Sequence, residues 1–217
     1  MNRQVSDIRT RPSFSNFTGE FPSDRLGEPI KYENLIERDF LLLAEDCRVI
    51  ETLTNRPDPL IWSYRDIPCT TQFEFGCQLT GGRRALVAVK WATKVRKLRL
   101  VELYRAARLS ARRDGWRLVM LTERQIRAQP RLANAEMRYF NRRRGPATPV
   151  TQQQDLAIFH VIPAGPPVSI GEVRARCNLG RDGYRAIMRL LGEGALQAID
   201  PRVPLDDHAL IARTSAL

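Results

Sequence analysis

The chain has 217 residues, a length that suits one large domain or two small ones, and 43% of them are hydrophobic, enough for genuine cores. Thirty-five Lys and Arg residues face 24 Asp and Glu residues, a formal net charge of +11. This excess predicts an anionic partner, nucleic acid rather than a membrane surface. Because no apolar run reaches membrane-spanning length and no signal-peptide core opens the chain, we expect a cytoplasmic, nucleoid-associated protein.

The four cysteines are widely spaced and include no Cys-x-x-Cys pair, the usual mark of a structural zinc site. Only two histidines are present to complete a ligand set. We therefore expect free thiols in a reducing compartment, and no zinc.

The chain begins with a segment that has no helical or strand period. Residues 1–30 mix Arg, Ser, Pro and Gly with isolated phenylalanines, which predicts an extended N-terminal arm. From about Tyr32 to Arg48, apolar residues recur at helical spacing and predict a buried helix with Glu37 in its middle. A glutamate in the middle of a helix is usually a solvated or paired surface residue.

Four short β-rich runs follow this helix, and Gly81-Gly82 predicts a hairpin between the last two. The predicted strands are Val49–Leu53, Leu60–Tyr64, Phe73–Leu79 and Ala85–Trp91.

A long helix is predicted over residues 92–113, with an apolar stripe on one side and cations on the other. The stripe comprises Leu100, Leu103, Tyr104, Ala107 and Ala111, and the cationic side comprises Lys94, Lys97, Arg105, Arg108 and Arg112. From Lys90 to Arg144, seventeen Lys and Arg residues outnumber four Asp and Glu residues. This concentration favours a double-stranded DNA surface; the alternative is a merely solvated helix face. After Gly115, a strand (116–121) and a helix capped by Thr122 and Gln125 complete the pattern.

Three short motifs follow one another in this order: the helix run around Glu37, the Thr71-Gln72-Phe73 run before the hairpin, and Val87-Ala88-Val89-Lys90. Together they resemble the TnsA-type endonucleases, which cut transposon ends and have a restriction-endonuclease-like fold. The resemblance covers about residues 20–142. It implies an α/β (α+β) core, over residues 31–142, in which a mixed sheet is flanked by helices.

The positions that would bind metal in this family are degenerate here. Gln72 stands where the family has an aspartate, and Ala88 where it has Glu or Gln, so only Glu37 of the three ligand positions is ionic. Magnesium that activates water needs carboxylate oxygens, and Lys90 would then have no metal-bound nucleophile to assist. The resemblance therefore implies DNA binding without cleavage, with no cofactor. Glu74, two residues beyond Gln72, is the alternative: a migrated acid that would restore a magnesium site.

Residues 143–150 form a basic, proline-containing linker to a different domain, 151–217. Capping patterns at Thr151 and Ser169, a third helix with an apolar stripe, and two short strands around 201–207 predict a winged-helix-like domain, which TnsA-type proteins also carry. The predicted DNA contacts of this half of the chain are Arg142, Arg143, Arg144, Arg181, Arg185 and Arg189.

Three functions remain open from the sequence. The first is a non-catalytic DNA-binding protein, acting as a transcriptional regulator or as an accessory factor of a mobile element or phage. The second is an active magnesium-dependent endonuclease subunit of a transposase, using Glu37, Glu74 and Lys90. The third is an adaptor that docks a protein through residues 151–217, which the acidic wing (Asp200, Asp206 and Asp207) favours. A homodimer is also left open.

Overall fold

The computed structural model describes residues 17–23, 25–26, 28–142, 146–162 and 165–214. The chain divides into two compact units, residues 1–127 (unit 1) and 128–217 (unit 2). Within the described ranges, no helix is long and apolar enough to cross a membrane.

The described residues of unit 1 form eight strands and four α-helices. In chain order these are β1 (Gly19–Phe21), β2 (Ile30–Tyr32), α1 (Leu35–Asp46), β3 (Ile50–Asn55), β4 (Leu60–Tyr64), β5 (Ile67–Thr71), β6 (Phe75–Leu79), β7 (Arg83–Lys90), α2 (Ala92–Lys97), α3 (Leu100–Arg113), β8 (Trp116–Thr122) and α4 (Glu123–Ile126).

A four-stranded mixed sheet, in the order β3-β6-β7-β8, forms the centre of unit 1. β3, β6 and β7 are antiparallel neighbours, whereas β7 and β8 run parallel and are connected through α2 and α3. Apolar residues of β7 are buried along most of the strand, as expected for a strand covered on both faces. The prediction of a mixed sheet flanked by helices is confirmed.

The segment before α1 belongs to the folded unit, so the prediction of an extended arm over residues 1–30 is wrong for its described part. β1 and β2 pair antiparallel, and Phe21, Leu26 and Ile30 are each only 4% exposed. These isolated apolar residues follow no period because each contacts the core from a different turn or short strand. The first 16 residues lie outside the described residues.

Arg25 anchors this segment to the end of α1. Its guanidinium donates hydrogen bonds to the carbonyl oxygens of Ala44, Glu45, Cys47 and Ile50, two of which follow the last helical residue. The last carbonyls of a helix have no intrahelical donor, so a cation at this position both caps the helix and offsets its dipole.

Strand β5 is absent from the predicted elements, although it forms a five-residue antiparallel pair with β4. Arg65 and Asp66, which connect the two strands, both have positive φ (50° and 62°), as a tight two-residue hairpin turn requires. Neither residue is the Asn or Gly that normally marks such a turn, and Pro68 argues against a strand. The sequence pattern therefore did not predict this hairpin.

The predicted helix over residues 92–113 is two helices. Leu98 ends α2, and Arg99 adopts a left-handed conformation (φ 49°, ψ 38°) before α3 begins. The helical phase computed across the whole segment therefore does not apply to Lys94 and Lys97. Within α3 the predicted stripe is confirmed, because Ala107 and Ala111 are buried and Leu103 and Tyr104 pack beside them.

In the part of unit 2 that the structure describes, there are four helices and three short strands. These are α5 (Arg131–Asn141), α6 (Pro149–Val161), β9 (Val168–Ser169), α7 (Ile170–Cys177), α8 (Arg181–Glu193), β10 (Leu196–Ala198) and β11 (Leu210–Arg213). The strands form one antiparallel sheet in the order β10-β11-β9. The predicted cap at Ser169 is confirmed, since its hydroxyl accepts from the Glu172 N–H at 3.2 Å. The cap of α6 is Thr148, not Thr151.

Helix α5 belongs to unit 2, although its sequence lies before the proline-containing segment that we interpreted as the linker. Buried Asn134 donates from its amide to Val203 O (2.8 Å) and accepts from Leu205 N (3.1 Å). The Tyr184 hydroxyl lies 3.0 Å from the Met137 sulfur. The boundary between the units therefore falls between residues 127 and 128, before α5. The side-chain contacts of α5 determine this boundary, whereas the composition of the chain suggested a later one.

Candidate functional site

A cavity of about 560 Å³ opens in unit 1 where β7 ends. Its walls are the β4–β5 hairpin, the segment between β5 and β6, the first turn of α1, and the α2–α3 pair. Ligand sites in α/β folds commonly lie at the carboxyl ends of strands, where loops diverge from the sheet. The cavity lies at such a position and brings together Glu37, Gln72, Glu74 and Lys90.

Glu37 is fixed by the first turn of α1, not in the middle of a helix as predicted. Asn34 is the N-cap: its side-chain oxygen accepts from the Glu37 N–H at 3.0 Å. The Glu37 carboxylate in turn accepts from the Asn34 amide (2.6 Å) and from the Glu33 N–H (2.7 Å). The spacing Asn-x-x-Glu is a capping-box signal, and it could have located this helix start from the sequence.

The carboxylate of Glu37 is buried, and only 7% of the residue is exposed. Burial raises the pKa of Glu37 above its ordinary value, and the charges of Glu74 and Glu33 raise it further; the hydrogen bonds from Glu33 and Asn34 oppose this. Two further carboxylates, Glu74 and Glu33, therefore lie close enough to Glu37 to raise its pKa.

Glu74 and Lys90 form an ion pair inside the cavity, with 19% and 18% of their side chains exposed. The second oxygen of Glu74 accepts from the Val89 N–H at 3.0 Å. Glu74 lies in a bend just before β6, and that strand pairs antiparallel with β7, so the sheet register brings Glu74 to the end of β7. This contact joins residues sixteen positions apart and could not be read from spacing.

The remaining two motif positions do not supply anionic ligands. The Gln72 amide donates to Pro57 O at 2.6 Å and faces the backbone beside the cavity. Ala88 is fully buried and packs with Leu86 and Ala107 in the apolar cluster of unit 1. Ala88 is therefore part of the core beneath the site and contributes no oxygen to it.

The rim and the outer surface next to the cavity are cationic. Helices α2 and α3, with the residues between them, expose eight cationic side chains against one carboxylate, Glu102: Lys94, Arg96, Lys97, Arg99, Arg105, Arg108, Arg112 and Arg113. None of these eight makes an ion pair with any residue that the structure describes. We call this set the α2–α3 basic surface. Unpaired exposed cations of one sign raise the local anion concentration.

The arginines predicted as DNA contacts of unit 2 differ in environment. Arg181 and Arg185 are exposed at the start of α8, whereas Arg189 is buried and paired with Asp155 of α6, so its assignment to a DNA surface is wrong. Every residue from Ala186 to Leu191 is buried, because α8 packs against its neighbouring helices. Arg142 is half-buried and stacks on Tyr139 (4.4 Å to the ring centre). Arg143 and Arg144 lie outside the described residues.

The residues of the cavity fit a divalent cation only in part. Glu37 and Glu74 offer two carboxylates, but every carboxylate oxygen already accepts a hydrogen bond or pairs with Lys90. Within the described ranges, no group of three or more His, Cys, Asp or Glu side chains could hold a metal. Carboxylate oxygens keep further lone pairs, so the donor set leaves room for one weakly held ion.

Comparison with protein families finds no matching family model, and comparison with curated proteins finds no significant match. Function is therefore inferred from the geometry of the chain.

Proposed function

We propose that this protein binds double-stranded DNA through the α2–α3 basic surface of unit 1 and does not cleave it. The observation that carries the proposal is the set of eight exposed cations that have no ion-pair partner among the described residues, beside the cavity that contains Glu37, Glu74 and Lys90. DNA phosphates are the anions that such a row of side chains would neutralise. In this proposal the protein acts as a transcriptional regulator or as an accessory factor of a mobile element or phage.

The architecture of unit 1 supports a nuclease-like origin for this surface. A helix, three antiparallel strands, a helical crossover and a parallel fourth strand are what the resemblance to TnsA-type endonucleases implies. In that interpretation Lys90 retains its place at the end of β7, while Ala88 has become part of the apolar core. A phosphate held near Lys90 would then be bound without an activated water.

The test measures binding of the full chain to a random-sequence duplex over a series of salt concentrations, without divalent cations. Replacing Arg105 and Arg108 with alanine should reduce the slope of log K against log salt by about two, since each neutralised phosphate contributes roughly 0.9. The matched control replaces Arg83 and Arg117, exposed at the opposite end of β7 and β8, and removes the same charge. An equal loss in both double variants would mean that only net charge matters.

A second candidate is magnesium-dependent DNA cleavage, which the meeting of Glu37 and Glu74 in one cavity favours. When bound, the metal would supply an activated water and offset charge on the attacked phosphate. Nicking of supercoiled plasmid in magnesium or manganese tests this candidate. Cleavage that disappears in both Glu37→Ala and Glu74→Ala would establish it and reject the non-catalytic proposal.

Unit 2 is proposed to be a winged-helix-like module that contacts another protein. Its order of elements from α6 to β11 matches that topology, but Arg185 at the exposed start of α8 lies 3.9 Å from the carboxylate of Asp182. That carboxylate lowers the positive charge that this end of α8 would present to phosphates. Exposed Phe140 and Leu156 (68% and 69%) add apolar contact area instead. Unchanged duplex affinity in Arg181→Ala/Arg185→Ala would support this division of roles, and a tenfold loss would reject it.

A further inference from the structure

The cavity of unit 1 has an apolar side as well as a charged one. Trp62, Phe73, Tyr104 and Ala107 belong both to the buried apolar cluster and to the cavity lining, so the core opens into the cavity. The Phe73 and Tyr104 rings meet edge to face at 5.5 Å, and the Trp62 indole donates to the Thr71 hydroxyl at 2.9 Å. These contacts hold the aromatic side chains in fixed positions.

The size of the cavity excludes duplex DNA and suits one nucleotide. Its volume of about 560 Å³ falls within the range of small-ligand sites, roughly 300–1,000 Å³. A sphere of that volume is about 10 Å across, narrower than the major groove of DNA alone, at about 12 Å. A base released from its stack would therefore fit where the double helix would not.

The charges that line the cavity leave cations free for a phosphate. Glu74 is paired with Lys90, and Glu33 is paired with Arg56, so these four side chains cancel in pairs. Among the described residues of the lining, Glu37 is the one further carboxylate, and it accepts hydrogen bonds from the Asn34 amide and the Glu33 N–H. Lys31 and Lys94 also line the cavity and have no ion-pair partner among the described residues. Lys94 belongs to the α2–α3 basic surface, which makes the cavity continuous with the proposed duplex contact.

We propose that the cavity binds a single unpaired nucleotide at a DNA end, with its base against Trp62 and Tyr104 and its phosphate toward Lys31 and Lys94. Every base has an aromatic face, so stacking of this kind is tolerant of sequence. The inference rests on the proposed function, because the neighbouring duplex delivers the nucleotide.

The experiment compares three DNA ligands with the full chain, in EDTA so that no cleavage intervenes. The ligands are a blunt duplex, the same duplex with a one-nucleotide overhang, and the same duplex with an abasic overhang. The base-bearing overhang should bind about 5- to 150-fold more tightly than the abasic one. Tyr104→Leu should reduce that ratio to near one, Tyr104→Phe should retain it, and Leu109→Ala, exposed on the same helix, should leave it unchanged.

If Tyr104→Leu does not fold, Gln72→Trp serves instead, because Gln72 is an exposed residue of the cavity lining and a larger side chain there should occupy part of the cavity and lower the overhang preference. An excess of free deoxynucleoside monophosphate should compete away the overhang preference. Equal affinity for the base-bearing and abasic overhangs overturns the inference, whether or not the blunt duplex binds. The affinity for the blunt duplex tests the proposed function separately.

Discussion

The ion pair between Glu74 and Lys90 should stabilise unit 1 measurably, because both side chains are more than four-fifths removed from solvent. Exposed pairs contribute about 0.2–1 kcal/mol, and breaking a fully buried pair costs about 3–5 kcal/mol. With 18% and 19% of the side chains exposed, we expect a coupling energy of about 1–2 kcal/mol. A double-mutant cycle of Glu74→Gln, Lys90→Met and the combined variant measures it.

The two single variants should differ in a defined direction. Lys90→Met leaves the Glu74 carboxylate without its cation and close to Glu37. It should therefore lower the free energy of unfolding by about 2–3 kcal/mol, more than Glu74→Gln does. Glu74→Gln removes that repulsion together with the ion pair, so its cost should be about 1 kcal/mol smaller. Lowering the pH should shrink the destabilisation caused by Lys90→Met, because Glu37, whose pKa is raised in the fold, then becomes neutral and no longer repels Glu74.

Urea unfolding followed by tryptophan fluorescence reads this cycle out cleanly. All three tryptophans of the chain lie in unit 1, so the signal reports that unit. Singles that add within about 0.3 kcal/mol would mean that Glu74 and Lys90 do not interact, and the geometry of the cavity would then be wrong. Equal costs for the two singles would instead reject the proximity of Glu37.

Three further predictions concern the remaining buried groups. Because the pKa of Glu37 is raised in the fold, the contribution of this carboxyl to stability is present below its ordinary pKa of 4.5 and is lost as the pH rises. The stability of Glu37→Gln relative to wild type should therefore improve from pH 4 to pH 8. Parallel curves of unfolding free energy against pH for the two proteins would contradict this. Arg189→Met should destabilise unit 2 by about 2–4 kcal/mol, because it removes an ion pair to Asp155 in which only 8% and 13% of the side chains are exposed, and a loss below about 0.5 kcal/mol in thermal unfolding of residues 128–217 would count against the pair. The fragment 128–217 should fold and the fragment 151–217 should not, because only the first contains α5; native-like amide dispersion in the shorter one would overturn that reasoning.

Local periodicity and capping were sufficient for much of the secondary structure. The Gly81-Gly82 turn, the apolar stripe of α3 and the Ser169 cap are each set by residues within a few positions of one another. The exposure of the α3 arginines could also be predicted from the local pattern, because a charged side chain on the polar face of a helix needs no partner from elsewhere in the chain. The sequence by itself therefore determined the mixed α/β class, the apolar face of α3 and the basic character of residues 92–113.

Only the tertiary structure decided which of those residues meet. The approach of Glu74 to Lys90 depends on the register of β6 against β7, and the burial of Arg189 depends on the packing of α8 against α6. The β4–β5 hairpin closes the cavity, yet its turn contains no glycine to reveal it. Contacts between residues distant in sequence depend on packing, which no local pattern records, and these contacts assemble the candidate site.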